Sequence, residues 1–115
     1  MTERKNIRGG ALLAHALKKK GVDHVFTLAG GFCNPALEGF MECQMPVINT
    51  PHEQIAGHLA DGHARITRKP VVCLVGPEGF ANAVPAMLEA GGERSPVIFI
   101  TGSSTLKRQG AGGFK

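Results

Sequence analysis

The chain has 115 residues, 43% hydrophobic and 19% charged, which is enough for one domain with a packed core. Six Phe with no Trp and no Tyr argue against an aromatic stacking platform for single-stranded nucleic acid. The net charge of +4 falls in clusters at Arg4-Lys5-Arg8, Lys18-Lys19-Lys20 and Arg65-Arg68-Lys69, which read as solvated faces and helix C-termini. No nucleic-acid partner is expected. No apolar stretch reaches signal-peptide or membrane-spanning length, so no membrane partner is expected. Cys33, Cys43 and Cys73 are odd in number and lack a C-x-x-C spacing, which suits a reducing, cytoplasmic setting.

In chain order, Gly10 to Lys20 predicts a helix with Leu12, Leu13, Ala16 and Leu17 on one face, stopped by Gly21. His24 to Leu28 predicts a short strand, and Gly30-Gly31 a turn. Asn34 is expected to cap a helix with Pro35 at its first position, running to about Cys43. Pro46 to Asn49 predicts a second strand. Thr50 is expected to cap a long helix to about Thr67. Val71 to Val75 is apolar throughout, as a parallel strand buried on both faces would be. Gly76-Pro77-Glu78-Gly79 reads as a turn, either a plain structural one or a backbone wall against a flat ligand, followed by a helix from about Ala81 to Ala90 closed by Gly91-Gly92. Val97 to Thr101 predicts the fourth strand.

Strands alternating with helices predict an α/β fold: an open parallel sheet of about four strands flanked by helices. The boundaries expected are a basic tail over 1–8, one α/β domain over 9–102 and a Gly-rich tail over 103–115 that frays. Right-handed crossovers would bring Gly30-Gly31, Thr50 to Glu53 and Gly76 to Asn82 to one edge of the sheet. Ligands of such sheets bind beyond the carboxyl ends of the strands, so Glu53 is well placed for function.

Two readings of Glu53 compete. Thr50-Pro51-His52-Glu53 fits a capping box, in which Glu53 reaches back to the backbone N–H of Thr50. The other reading makes Glu53 a carboxylate aimed at a ligand. Phosphate-loop and dinucleotide-binding motifs are absent. His52, His58 and His63 share one predicted helix without zinc-ligand spacing, so no metal site is expected. Ala56, Ala60 and Ala64 form a small-residue stripe, read as a face for close packing on the sheet or on a second subunit.

Several ordered motifs together resemble a known family. They are Gly21-Val22-Asp23-His24-Val25-Phe26-Thr27-Leu28-Ala29-Gly30-Gly31, the His52-Glu53-Gln54 helix with Gly62-His63-Ala64-Arg65, Lys69-Pro70-Val71-Val72-Cys73-Leu74-Val75, Gly79-Phe80-Ala81-Asn82-Ala83-Val84 and Ser95-Pro96-Val97-Ile98-Phe99-Ile100-Thr101-Gly102. Over nearly the whole chain from about Gly9 they are similar to the N-terminal, pyrimidine-binding domain of thiamine-diphosphate-dependent enzymes, of the acetolactate synthase and benzaldehyde lyase branch. The resemblance implies thiamine diphosphate as cofactor. It implies that Glu53 hydrogen-bonds a ring nitrogen of the aminopyrimidine and favours the tautomer that removes the thiazolium proton. It implies that Gly30, Gly31, Pro77 and Asn82 surround the pyrimidine.

Departures from the family pattern shape the expectation further. Members are several times longer and hold Mg²⁺ and the diphosphate on a separate C-terminal domain, through Gly-Asp-Gly and a downstream Asn. This chain has no Gly-Asp-Gly, and its last residues, Phe114-Lys115, stand where members continue. Val75-Gly76-Pro77-Glu78-Gly79 replaces the usual Ser-Gly-Pro-Gly, and Phe32 stands where benzaldehyde lyase has a substrate-contacting His. The resemblance therefore implies an incomplete pyrimidine domain, inactive alone, of a 2-oxo-acid carboligase or decarboxylase. Mg²⁺ would come only with a complementary diphosphate-binding domain or subunit, in a homo- or hetero-oligomer. The alternatives are a non-catalytic remnant or dimerisation module of the same family, and an unrelated α/β binding module.

Overall fold

The computed structural model describes residues 6–112. Four helices alternate with four strands: α1 (Gly9–Lys19), β1 (Val25–Thr27), α2 (Asn34–Glu42), β2 (Val47–Asn49), α3 (Glu53–Thr67), β3 (Val71–Val75), α4 (Pro77–Gly92) and β4 (Val97–Thr101). The strands form one sheet in the order β2-β1-β3-β4, and every pairing is parallel. The expected open parallel α/β sheet is therefore the observed one.

Alternation along the strands separates two cores. Val72 and Leu74 of β3 join Val25, Ala14 and Phe40, with Ile98 and Ile100 of β4 packed against them. Val71, Cys73 and Val75 face the other way, onto Ala56, Ala60, Ala64 and Ala83, with Val97 and Phe99 beside them. Thus α1 and α2 cover one face, and α3 and α4 the other. All five β3 residues are buried, as the unbroken apolar run predicts. Each such side chain, moved from water to the interior, contributes roughly 1.5–3 kcal/mol.

The alanine stripe of α3 is fully buried, so its use is packing within the chain. It lets α3 lie close on the sheet, and Gly57 extends that closeness to α4. A Cβ built on Gly57 would overlap the Cβ of Ala86 and lie 3.4 Å from Phe99 Cε1.

Four expected boundaries are corrected. Asn34 does not cap α2; it is already helical, and a 3-10 turn over Gly31–Cys33 leads the chain in. Thr50 does not cap α3, Pro51 is not its first residue, and no capping box forms. The Thr50 hydroxyl bonds instead to Thr27 O (3.2 Å) and His52 O (2.9 Å), because Thr50 is buried against β1. His52 is the N-cap, its Nδ1 accepting from Gln54 N. Gly76-Pro77-Glu78-Gly79 is no separate turn: Gly76 is the extended N-cap and Pro77 the first residue of α4, where a missing N–H costs nothing. At its other end α4 runs through Gly91-Gly92, and Glu93 is its C-cap.

The charged helix ends are used in two ways. Lys18 donates to Cys43 O at the C-terminus of α2 (2.6 Å), so it serves the neighbouring helix as well as its own. Arg65, in the last turn of α3, pairs with Asp61 and with Glu89 of α4. The expected tails at 1–8 and 103–115 lie partly outside the described residues; within them a 3-10 turn forms at Leu106–Arg108. No helix among the described residues is long and apolar enough to cross a membrane.

Candidate functional site

Parallel pairing brings the carboxyl ends of all four strands to one edge, and the chain beyond each end is tied to its neighbour. Ala29 N donates to Asn49 Oδ1 (2.9 Å), and Thr50 N to Thr27 O (2.7 Å), which joins the segments after β1 and β2. Gly102 N donates to Val75 O (3.1 Å) and Thr101 Oγ1 to Gly76 O (3.2 Å), which joins those after β3 and β4. The segments along this rim are therefore tied in two pairs rather than left as four independent loops.

Glu53 stands on that rim as the first residue of α3. It is half-buried. Position at a helix N-terminus favours its negative charge. Since the capping box does not form, its carboxylate is released from the backbone and turns toward α4. Asn82 Nδ2 donates to Glu53 Oε2 at 3.0 Å. Gly79 lies against the same side chain: a Cβ there would sit 2.5 Å from Oε1, 2.6 Å from Cγ and 2.8 Å from Cδ. Any larger residue at 79 would displace the carboxylate.

Of the residues singled out from the sequence, Glu53 and Asn82 are in direct contact. Pro77 opens α4 on the same rim, five residues before Asn82. Gly30 and Gly31 follow β1 on that edge, with open space where a Cβ would point. Gly30 is extended (φ −155°), so its backbone does not demand glycine; the space beside it is what a side chain would remove. The contact of Gly79 with Glu53 was not foreseen. Its only signal was the glycine three residues before Asn82, which reads equally well as turn chemistry.

The arrangement has a defined chemical character. An ionised carboxylate only accepts hydrogen bonds, and one of its oxygens is held by a neutral amide. Of the helices that start at this edge, α3 and α4 carry Glu53 and Asn82, and their N-terminal dipoles point toward it. The site is suited to a partner that presents an N–H to the carboxylate and tolerates a glycine-lined wall.

A profile of the family described as "Thiamine pyrophosphate enzyme, N-terminal TPP binding domain" matches residues 7–115. The chain belongs to this family. It is similar to "Probable acetolactate synthase" of Mycobacterium bovis, 36% identical over 107 residues, covering 92% of this chain and 20% of that protein. It is similar to "2-hydroxyacyl-CoA lyase 2" of Danio rerio, 37% identical over 114 residues, covering 96% and 18%. It is also similar to "Acetolactate synthase isozyme 1 large subunit" of Escherichia coli, 34% identical over 115 residues, covering 97% and 20%. The chain thus spans about a fifth of the length of the curated relatives it matches.

Proposed function

We propose that this chain supplies the pyrimidine-binding half of a thiamine-diphosphate site. Glu53 is its catalytic carboxylate, and Asn82, Pro77, Gly30 and Gly31 are the residues that hold the aminopyrimidine. The observation that carries the reading is the Glu53 carboxylate freed from helix capping, fixed by Asn82 and backed by Gly79. The donor set fits the group: an acceptor-only carboxylate matches a protonated ring nitrogen, and the missing Cβ atoms leave room for a flat heterocycle. When bound, the cofactor supplies a stabilised carbanion equivalent for chemistry at a 2-oxo acid or related carbonyl compound. Glu53 accepts the ring N–H and, by its fixed negative charge, holds a proton on that nitrogen. Asn82 orients the carboxylate, and Gly79 excludes any side chain from its back.

The diphosphate and Mg²⁺ are assigned to a complementary domain or subunit. Activity of the acetolactate synthase type, carboligation or decarboxylation, would then belong to an oligomer in which this chain is one part. Cys33, Cys43 and Cys73 are free, buried thiols, in keeping with a cytoplasmic setting. The second reading is a non-catalytic remnant or dimerisation module of the same family. Pyrimidine contacts alone offer few hydrogen bonds, each worth about 0.5–1.5 kcal/mol net, so the chain alone should bind the cofactor weakly. The test is carbon dioxide release from pyruvate with thiamine diphosphate and Mg²⁺. No turnover is expected from the chain alone, and turnover is expected after addition of a metal-binding domain from a relative. Failure of every such pairing would favour the remnant.

A further inference from the structure

At the opposite edge of the sheet, Asp23 and His24 immediately precede β1, and His63 reaches them from the later part of α3. His63 Nε2 lies 3.0 Å from Asp23 Oδ1, and His24 Nδ1 lies 3.1 Å from the same oxygen. One ligand atom from each of the three residues lies within 4.8 Å of the other two. The imidazole rings are 4.5 Å apart and tilted by 51°, so they do not stack flat on each other. Phe26 closes one side, its ring 5.8 Å from that of His63. His24 Nδ1 is buried and has no hydrogen-bond partner among the described residues, although Asp23 Oδ1 is within reach in distance. A buried lone pair or N–H left in this way is costly unless something binds it.

We propose that Asp23, His24 and His63 form a binding site for a divalent transition metal, zinc by the chemistry of its donors. Two imidazole nitrogens and one carboxylate oxygen are a set that suits zinc, with a fourth position left to water. Zinc ligands at about 2.0–2.2 Å in a tetrahedron stand roughly 3.3 Å from one another. The two measured separations at Asp23 Oδ1 are already close to that spacing. The side chains of Asp23, His24 and His63 are 32%, 33% and 19% exposed, so the site opens to solvent on one side. Lys69 Nζ is the one cation facing the cluster among the described ion pairs, 3.8 Å from Asp23 Oδ2. It is largely exposed and faces the other carboxylate oxygen beyond hydrogen-bond distance, so it can swing away. The metal would clamp the end of α3 to the start of β1, far along the helix from Glu53. This proposal does not depend on the function assigned to Glu53.

The test is calorimetric titration of the full chain with Zn²⁺, paired with Co²⁺ absorption and thermal unfolding. One equivalent is expected to bind, and the melting temperature is expected to rise with Zn²⁺. The Co²⁺ spectrum should be that of a tetrahedral nitrogen and oxygen site, without thiolate charge transfer. His63→Gln and Asp23→Asn should each weaken binding by at least about 100-fold, the upper range seen even for groups one shell further out. His58→Gln, an exposed histidine of the same helix, should leave binding unchanged. Circular dichroism checks that the variants fold, and the two single variants guard against loss of either one. Equal binding by wild type and both variants, absence of stoichiometric binding, or a thiolate band from a cysteine site would each overturn the proposal.

Discussion

Two glycines five residues apart in α3 should respond in different ways to the same substitution. Replacing a helix-interior glycine with alanine stabilises the helix by about 0.8–1.0 kcal/mol when nothing else changes. At Gly62 a Cβ would meet nothing within 4 Å, so Gly62→Ala should gain most of that amount. At Gly57 the new methyl would overlap the Cβ of Ala86 and press on Phe99. Ala86 is fully buried and its Cβ is fixed to the backbone, so no rotamer change can relieve the overlap. Overpacking of this kind costs about 1–3 kcal/mol. Gly57→Ala should therefore lose up to about 2 kcal/mol, and the difference between the two variants isolates the packing cost at about 1–3 kcal/mol. For a domain of this size each kcal/mol moves the melting temperature by about 4 °C. Thermal unfolding of both variants by circular dichroism reads the difference directly. A joint rise in melting temperature would refute the close approach of α3 and α4. That approach matters for the site, because the same helix pair brings Asn82 to Glu53.

Acid should weaken the chain partly through Asp61. A hydrogen bond from Arg65 holds its carboxyl below the usual range, against the opposing effect of burial. A lowered folded value means stability that is complete above the unfolded value of about 3.9 and is lost as pH falls through the folded one. The gap in urea midpoint between wild type and Asp61→Asn should thus shrink between about pH 7 and about pH 3; a gap that widens would contradict the assignment. Burial pushes the Cys73 thiol up to about 12, so the folded protein should resist alkylation there near neutral pH. Mass spectrometry after iodoacetamide treatment should find Cys73 labelled in denaturant and unlabelled without it, and equal labelling would contradict its burial.

Much of the fold was legible because its signals are local. The unbroken apolar run from Val71 to Val75 and the β-branched and aromatic run from Val97 to Thr101 predict β3 and β4 at their observed bounds. The order of strands and helices was enough to expect a parallel sheet with Glu53 and Gly30 at one edge. Errors arose where a side chain answers to a distant group. Thr50 looks like a helix cap until β1 is beside it and Thr27 O claims its hydroxyl. Pro77 looks like a turn residue because the sequence does not reveal that Gly76 is extended and caps α4. The bond from Asn82 to Glu53 joins residues 29 apart, and the meeting of His63 with Asp23 joins residues 40 apart. Spacing rules within a single helix detect neither.

The assignment of Glu53 is tested most directly by Glu53→Gln in a complex reconstituted with a diphosphate- and Mg²⁺-binding domain. Glutamine keeps the size and can still accept from Asn82, but it carries no charge to hold a proton on the pyrimidine. Losing a carboxylate at a helix N-terminus costs about 0.3–1 kcal/mol, so the fold should survive with a small fall in melting temperature. Turnover should drop by at least about 100-fold, the lower range for removal of a positioned acid–base group. Unchanged turnover in a folded Glu53→Gln complex would contradict the assignment and leave Glu53 as a structural residue of the α3 N-terminus.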